Sequence, residues 1–594
     1  MGCRWLRLTL LALALAVPGL AVMSLAGAAP GGRTRCSAGA RTLSPPGARL
    51  YPETGNGGYT SLHTDVHLVY DATANRFLPG NHVLLTDRAT QCLTSFSLDF
   101  ERRSANRTAG PDLTVTSVLV DGRPARFRFA RPAYPGDPRG PGDPDPQAHE
   151  ASQANPVGGP HDNPLPPACS PELPSGSAAP GSQDGQPCPA TKLVITPASV
   201  IADHALFRVT VNYTGRPGVH NDGDGTAEGW FRAPDGGFVA SEPVGGEDWQ
   251  PLNDYPAAKP TYDFYDTVNA GKVAIANGVL VSVLRHRPGP RFPRGSVTWH
   301  WRSRAPIASY LAGTSVGDFR LTGRTGPGGV RYYVAQDTRI SAAGQRANAA
   351  IASQQPAITA VESAFSGRYP FRSDGVVAGL PQVGFQEEMQ TMIAFSGTGI
   401  DLTTLYHENM HQWWGDYVSE AGYQMTFYKE GLATVGEYLR RAAAAGPPGR
   451  AALAALAPGL IRRFGQIYAS GGRFWTAAPS DPAPWGLFSG DATYARPAAA
   501  YIALRQILGA QRFGLALRAI QQRYANGSIT EPELEDALQR WLPDRAAACR
   551  QRLDEFFSEW FDTAYLPGGG ADRPQLTGPG LAGPGFYGGG CPAP

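Results

Sequence analysis

The stretch LYHENMHQWWGDYVSEAGYQMTFYKEGLATVGEYLRR, beginning at Leu405, constrains this chain more than any other part of its 594 residues. His407 and His411 stand four apart, so at about 100° per residue they lie about 40° apart on one face of a helix and can aim two imidazoles at one ion. Glu408, one position on from His407, is turned toward whatever occupies the metal's open side, where a carboxylate can take a proton from a metal-activated water. Two unrelated histidines on a surface helix would read the same up to this point. Glu430 adds a third donor: it follows the loop AGYQMTF and opens a second helical pattern, EGLATVGEYLRR, that can return to present it. Two imidazoles and one carboxylate leave one position open, the pattern of a catalytic Zn²⁺ site holding one ion. Glu437 lies two turns further along the same face, either as a partner for a ligand imidazole or as a solvated helix glutamate.

The surrounding composition fits a large folded protein. Hydrophobic residues make up 42% and charged residues 17%, too apolar for a disordered polymer. Residues 1–28 read as a secretory signal, with Arg4 and Arg7, an apolar run from Leu8 and Ala26-Gly27-Ala28 as the cleavage site; an uncleaved membrane anchor is the alternative. Without Arg4 and Arg7, 50 Lys+Arg stand against 50 Asp+Glu, and this balance offers nothing to a nucleic-acid backbone. No later segment reaches membrane-spanning length. Six cysteines remain after the leader, Cys36, Cys92, Cys169, Cys188, Cys549 and Cys591, an even number suited to disulfides in an oxidising compartment. Cys169 with Cys188 and Cys549 with Cys591 are the expected pairs, since each would staple a polar loop or tail.

Residues 29–320 carry period-two patterns such as TSLHTDVHLVYD, LTVTSVLVDG and LFRVTVNY between turn residues, which predict an N-terminal antiparallel β domain. It is interrupted over 131–190 by a segment rich in Pro and Gly, expected to be a disordered loop inserted at a hairpin tip. From 321 to 565 the texture turns to helix, strand and then long amphipathic helices, the last two expected over Ala499–Tyr524 and Glu531–Tyr565. A Gly- and Pro-rich tail fills 566–594.

H-E-x-x-H with this spacing to a glutamate, QWWGD after the second histidine and KEGLAT around the third donor resemble the gluzincin metalloaminopeptidases, the aminopeptidase N family. GYTSLHTDVHLVYD, VLVDGRPARF and the run from GWFRAPDGG to WQPLNDYPAAKPTYDF look like that family's N-terminal saddle domain. The resemblance covers about residues 57–565 and implies an α+β multidomain fold, a saddle-like β domain followed by a thermolysin-like, mainly helical zinc domain. It implies removal of N-terminal residues from peptide substrates. Carried onto matching positions, His407, His411 and Glu430 hold Zn²⁺, and Glu408 is the base. Tyr494, in GDATYARPAAAYIALRQILG, stands where the family has its catalytic tyrosine. Arg496 and Pro497 depart from the usual Lys and Gly after it, which keeps Tyr501 and Tyr428 open as the hydroxyl donor.

The family binds the free α-amine through the glutamate of a G-A-M-E-N strand. Here GLPQVGFQEEMQTMIAF departs from that pattern with adjacent Glu387 and Glu388. Neighbours on a strand face opposite sides, so one of them can enter the cleft. Glu388 is preferred because EMQT then aligns with an E-x-Q-T variant; the other is left to pair with an arginine or line the next subsite. The main expectation is a secreted zinc aminopeptidase. The rivals are a gluzincin endopeptidase or other zinc hydrolase without strict N-terminal recognition, and an inactive relative serving as a binding or surface protein.

Overall fold

In the computed structural model the described residues are 36–44, 50–51, 54–102, 110–130, 191–221, 227–381, 383–445, 473–475, 477–482 and 487–564. The leader, the Pro-rich insert and the tail lie outside them. The described residues belong to one compact unit. Strand β1 (Tyr59–His67) shows why the first half folds as sheet: burial alternates along it, with Tyr59 and Ser61 buried and, past a register shift between Ser61 and His63, Thr64 and Val66. It sits in a ten-stranded sheet beside β2 (His82–Ala89), which pairs with β3 (Leu206–Arg216); on its other side lie β4 (Thr261–Asn269), β5 (Ser296–Ser303) and the edge strand Val279–His286. The expected antiparallel order has exceptions, because β4 runs parallel to β1 and to Val69–Asp71. A four-stranded and a five-stranded sheet complete this half. In the four-stranded sheet, Arg126–Ala130 pairs antiparallel with Lys192–Thr196, so the segment between them joins two neighbouring strands. A disulfide links Cys36 to Cys92, and Cys549 is also disulfide-bonded; Cys169, Cys188 and Cys591 lie outside the described residues.

The second half begins on another sheet: β6 (Phe319–Thr325), β7 (Arg331–Asp337), β8 (Ser373–Leu380), β9 (Gln386–Glu387) and β10 (Ile393–Ser396), in the order β6-β7-β8-β10-β9. Its two faces bury different partners. Val377, Leu380, Met392 and Ala394 join the core of the β half, whereas Val376, Ala378, Ile393 and Phe395 pack with Ile358, Leu405 and Tyr406 from helices. Among the described residues the α-helices, in chain order, are α1 (Ala342–Ala352), α2 (Gln355–Ser366), α3 (Leu402–His411), α4 (Thr426–Ala445), α5 (Arg496–Leu508), α6 (Ala510–Arg523), α7 (Glu531–Gln539) and α8 (Ala547–Phe557). The sheet therefore fixes α3 from one side. Met410, Trp413 and Trp414 continue from it into the helical core.

Each of the two long C-terminal helices expected from periodicity is broken in two. Gly509, at φ 76°, separates α5 from α6, a backbone state that an L side chain resists. The segment containing Pro543 separates α7 from α8, since proline cannot donate to a continuing helix. Periodicity sees the shared apolar face and misses the break.

Candidate metal and amine-binding site

Helix α3 starts at Asp401, whose side chain accepts from the N–H groups of Thr403 and Thr404 at 2.8 and 2.9 Å, an N-cap that fixes where the helix begins. Over its last turn it presents His407 and His411, both buried, with ring centroids 4.9 Å apart. Helix α4 brings Glu430 against them: Oε2 lies 3.1 Å from His407 Nε2 and 3.4 Å from His411 Nε2. The close approach of α4 to α3 is permitted by Gly436, since a Cβ there would fall 2.7 Å from the Tyr406 carbonyl oxygen. Both imidazoles are held at the far nitrogen. Nδ1 of His407 lies 3.1 Å from Glu437 Oε1, and Nδ1 of His411 donates to the Trp414 carbonyl at 3.0 Å, which leaves both Nε2 atoms facing Glu430. The three donor atoms lie within 4.8 Å of one another. This set of two oriented imidazoles and one carboxylate fits a zinc ion with an open position.

The charge states follow from the packing. Burial opposes a charged His407, yet the hydrogen bonds to Glu430 and Glu437 carry its pKa up to about 10. Burial likewise opposes a charged Glu430, but the Lys429 ammonium and His411 hold it well below the usual carboxylate range. Loading the site with a metal thus displaces the proton of His407. Glu408 is buried beside them, and desolvation pushes its carboxyl up to about 7 against the pull of His407 and His411.

Next to the three donors lies a second constellation. Lys429 Nζ is ion-paired with Glu242, with Glu388 Oε1 at 2.6 Å and with Glu430 Oε1 at 2.8 Å, and the carboxylates of Glu242, Glu388 and Glu430 offer oxygens within 4.8 Å of one another. Sequence reasoning missed Glu242 and Lys429. Glu242 lies inside the run from GWFRAPDGG to WQPLNDYP that carries part of the resemblance, and Lys429 is one of only four lysines in the chain. Gln412, also missed, couples this strand segment to α3: its Nε2 donates to the Glu388 carbonyl at 3.0 Å and its Oε1 accepts from Thr391 N at 2.7 Å.

Glu387 and Glu388 point to different partners. Glu388 faces Lys429 and, at 3.8 Å, His411 Nδ1. Glu387 Oε1 accepts from Ser241 N at 3.0 Å, where an arginine was one expected partner. Glu228 Oε2 accepts from Val244 N and Gly245 N at 2.8 and 3.0 Å, so two buried carboxyls clamp the loop that carries Glu242. Burial raises the Glu387 pKa well above the ordinary value, and a glutamine amide oxygen could accept from Ser241 N as this carboxyl does. Glu387→Gln should therefore leave peptide hydrolysis near the starting level. Glu387→Ala, which strands the Ser241 N–H, should destabilise the fold by about 1–3 kcal/mol in chemical denaturation.

Tyr494 sits in the π-helical turn Gly490–Ala495 that leads into α5, with its ring centroid 5.8 Å from that of His407. Such turns widen a helix by one residue and push a side chain outward. The other two tyrosines face elsewhere: Tyr428 donates to the Val418 carbonyl at 3.3 Å, and Tyr501 to the Tyr428 carbonyl at 3.5 Å. Arg496 is fully buried and donates to the carbonyls of Ala477, Glu559 and Thr563, stacked 4.5 Å from the Trp475 ring centroid. This departure from the family pattern is a packing device that ties the π-turn to the chain's C-terminal region.

Residues 400–560 match the peptidase family M1 domain. The chain carries an M1 peptidase domain. Its fold agrees with that of an M1 zinc metallopeptidase mutant from Deinococcus radiodurans solved with a Tyr-Ser-Ala substrate: 21% identity, TM-score 0.63, covering 88% of this chain and 98% of that one. A two-domain M1 zinc metallopeptidase mutant bound to L-arginine gives 20% identity and a TM-score of 0.64 over 88% and 98% of the two chains. No protein of curated function matches the chain. The match over residues 400–560 marks a peptidase domain, the likeness to the solved structures agrees on the two-domain α+β fold, and the three donors described above fit one zinc ion.

Proposed function

We propose that this protein is a secreted aminopeptidase that hydrolyses the first peptide bond of peptides, with His407, His411 and Glu430 holding zinc. The observation that carries the reading is the carboxylate cradle beside the metal donors. Glu242, Glu388 and Glu430 surround one ammonium, that of Lys429. With Glu430 assigned to the metal, Glu242 and Glu388 remain to receive a substrate α-ammonium. Burial and the neighbouring Glu388 raise the pKa of Glu242, while His411 and Lys429 hold Glu388 below the ordinary value despite its burial. An arriving ammonium favours the carboxylate form of both.

Zinc, when bound, supplies a Lewis acid that polarises the scissile carbonyl and makes water acidic enough to react near neutral pH. Glu408 takes the proton of the attacking water and delivers it to the leaving amine. Tyr494 donates a hydrogen bond to the oxyanion, and burial keeps its hydroxyl protonated by raising its pKa well above the ordinary value. Tyr494→Phe should lower kcat by about 100-fold or more while KM changes little, measured on a short free peptide. Secretion rests on the leader and on the cysteines, and the Cys36–Cys92 disulfide suits an oxidising compartment. Among the described residues no helix is long and apolar enough to cross a membrane.

The test is to offer a short peptide with a free and an acetylated N-terminus, with and without a zinc chelator. Chelator-sensitive cleavage of the free peptide alone is expected. Equal cleavage of both would make the protein an endopeptidase.

A further inference from the structure

Far from the M1 site in sequence, the solvent-facing side of the large sheet collects a second set of metal-ligating side chains. His63 and Asp65 are two apart on β1 and so share a face, and Asp263 on the parallel strand β4 stands directly opposite Asp65 in the register. Like charges facing each other across a strand pair are destabilising unless something between them is positive. His63 Nε2 lies 3.4 Å from Asp65 Oδ1 and 3.7 Å from Asp263 Oδ2, too long for strong hydrogen bonds. It is the spacing of donors around a common ion: tetrahedral zinc with bonds near 2.1 Å separates its ligand atoms by about 3.4 Å. The M1 donors show the same spacing, 3.1 and 3.4 Å from Glu430 to the two imidazoles.

The surroundings orient these donors. Thr261 Oγ1 lies 2.8 Å from His63 Nδ1, which turns Nε2 toward the two carboxylates. Arg302 Nε and His300 Nε2 hold Asp263 Oδ1 at 2.7 and 2.5 Å, leaving Oδ2 for the cluster. All three ligating residues offer atoms within 4.8 Å of one another, and His63 and Asp65 are half-buried, so the site is both formed and reachable from solvent.

We propose that His63, Asp65 and Asp263 bind a second zinc ion, one that stitches β1 to β4 across their parallel seam and takes no part in peptide hydrolysis. The measurement is the zinc content of the full mature chain, stripped of metal and then equilibrated with zinc, for the wild type, His411→Ala, His63→Ala and Thr261→Val. Two zinc ions are expected in the wild type and one in each histidine variant, with His63→Ala still hydrolysing peptide at the wild-type rate. Thr261→Val keeps every ligand and should weaken the sheet site by about 10-fold or more. A single zinc in the wild type, or two retained by His63→Ala, would overturn the proposal. If His411→Ala fails to fold, the comparison of wild type with His63→Ala decides the question alone.

Discussion

Replacing Glu408 by Gln is expected to lower kcat/KM by about 100- to 10,000-fold, the range a positioned general base supplies. The amide keeps the shape and cannot take the proton. Its neighbours His407 and His411 keep their own partners, Glu437 and the Trp414 carbonyl, so metal at the M1 site should be retained. That combination, lost rate with metal in place, separates a base from a ligand. The pH profile of the unmutated enzyme carries the same assignment. Glu408 works as a carboxylate, so rate falls as pH drops through its pKa. Burial pushes that pKa from 4.5 up to about 7, and a bound dication pulls it back, so the acid limb should fall between those values. An acid limb still present in Glu408→Gln would assign it to another group.

The second large effect is expected at Glu388. Glu388→Gln removes one negative charge from a buried cradle that holds Lys429 and, on the proposed reading, the substrate ammonium. Removing one member of a buried charge pair costs about 2–5 kcal/mol, a loss of about 30-fold or more in kcat/KM for a free peptide. Glu242→Gln should act in the same direction, because Glu242 faces the same ammonium. The contrast lies next door: Glu387 differs by one position and binds only the Ser241 N–H, so its glutamine variant should stay active. Equal losses at 387 and 388 would mean that the effect is packing of the strand and not recognition of charge.

The features readable from sequence are those set by near neighbours. A helix puts His407, Glu408 and His411 where their spacing says, and Glu437 follows Glu430 by two turns on α4, so Glu437 reaches His407 as helical geometry allows. Period-two burial in Tyr59–His67 is likewise local. Glu242 was not readable, because it arrives beside Lys429 by tertiary approach of a loop nearly two hundred residues upstream and no local pattern marks it. The partner of Glu387 was hidden for the same reason: alternation says it turns away from Glu388 but not that a backbone N–H from Ser241 awaits it. The split of the C-terminal helices turned on single residues whose weight a periodic pattern averages out, Gly509 above all.

The central claim is that the carboxylate cradle registers the N-terminus of the peptide substrate against the metal donors. A time course of a ten-residue peptide with the mature, zinc-loaded protein, followed by mass spectrometry, tests it most directly. The account predicts a ladder of products shortened one residue at a time from the free N-terminus, halted by N-acetylation and by Glu408→Gln. Internal fragments appearing from the start, whether or not the N-terminus is free, would contradict it.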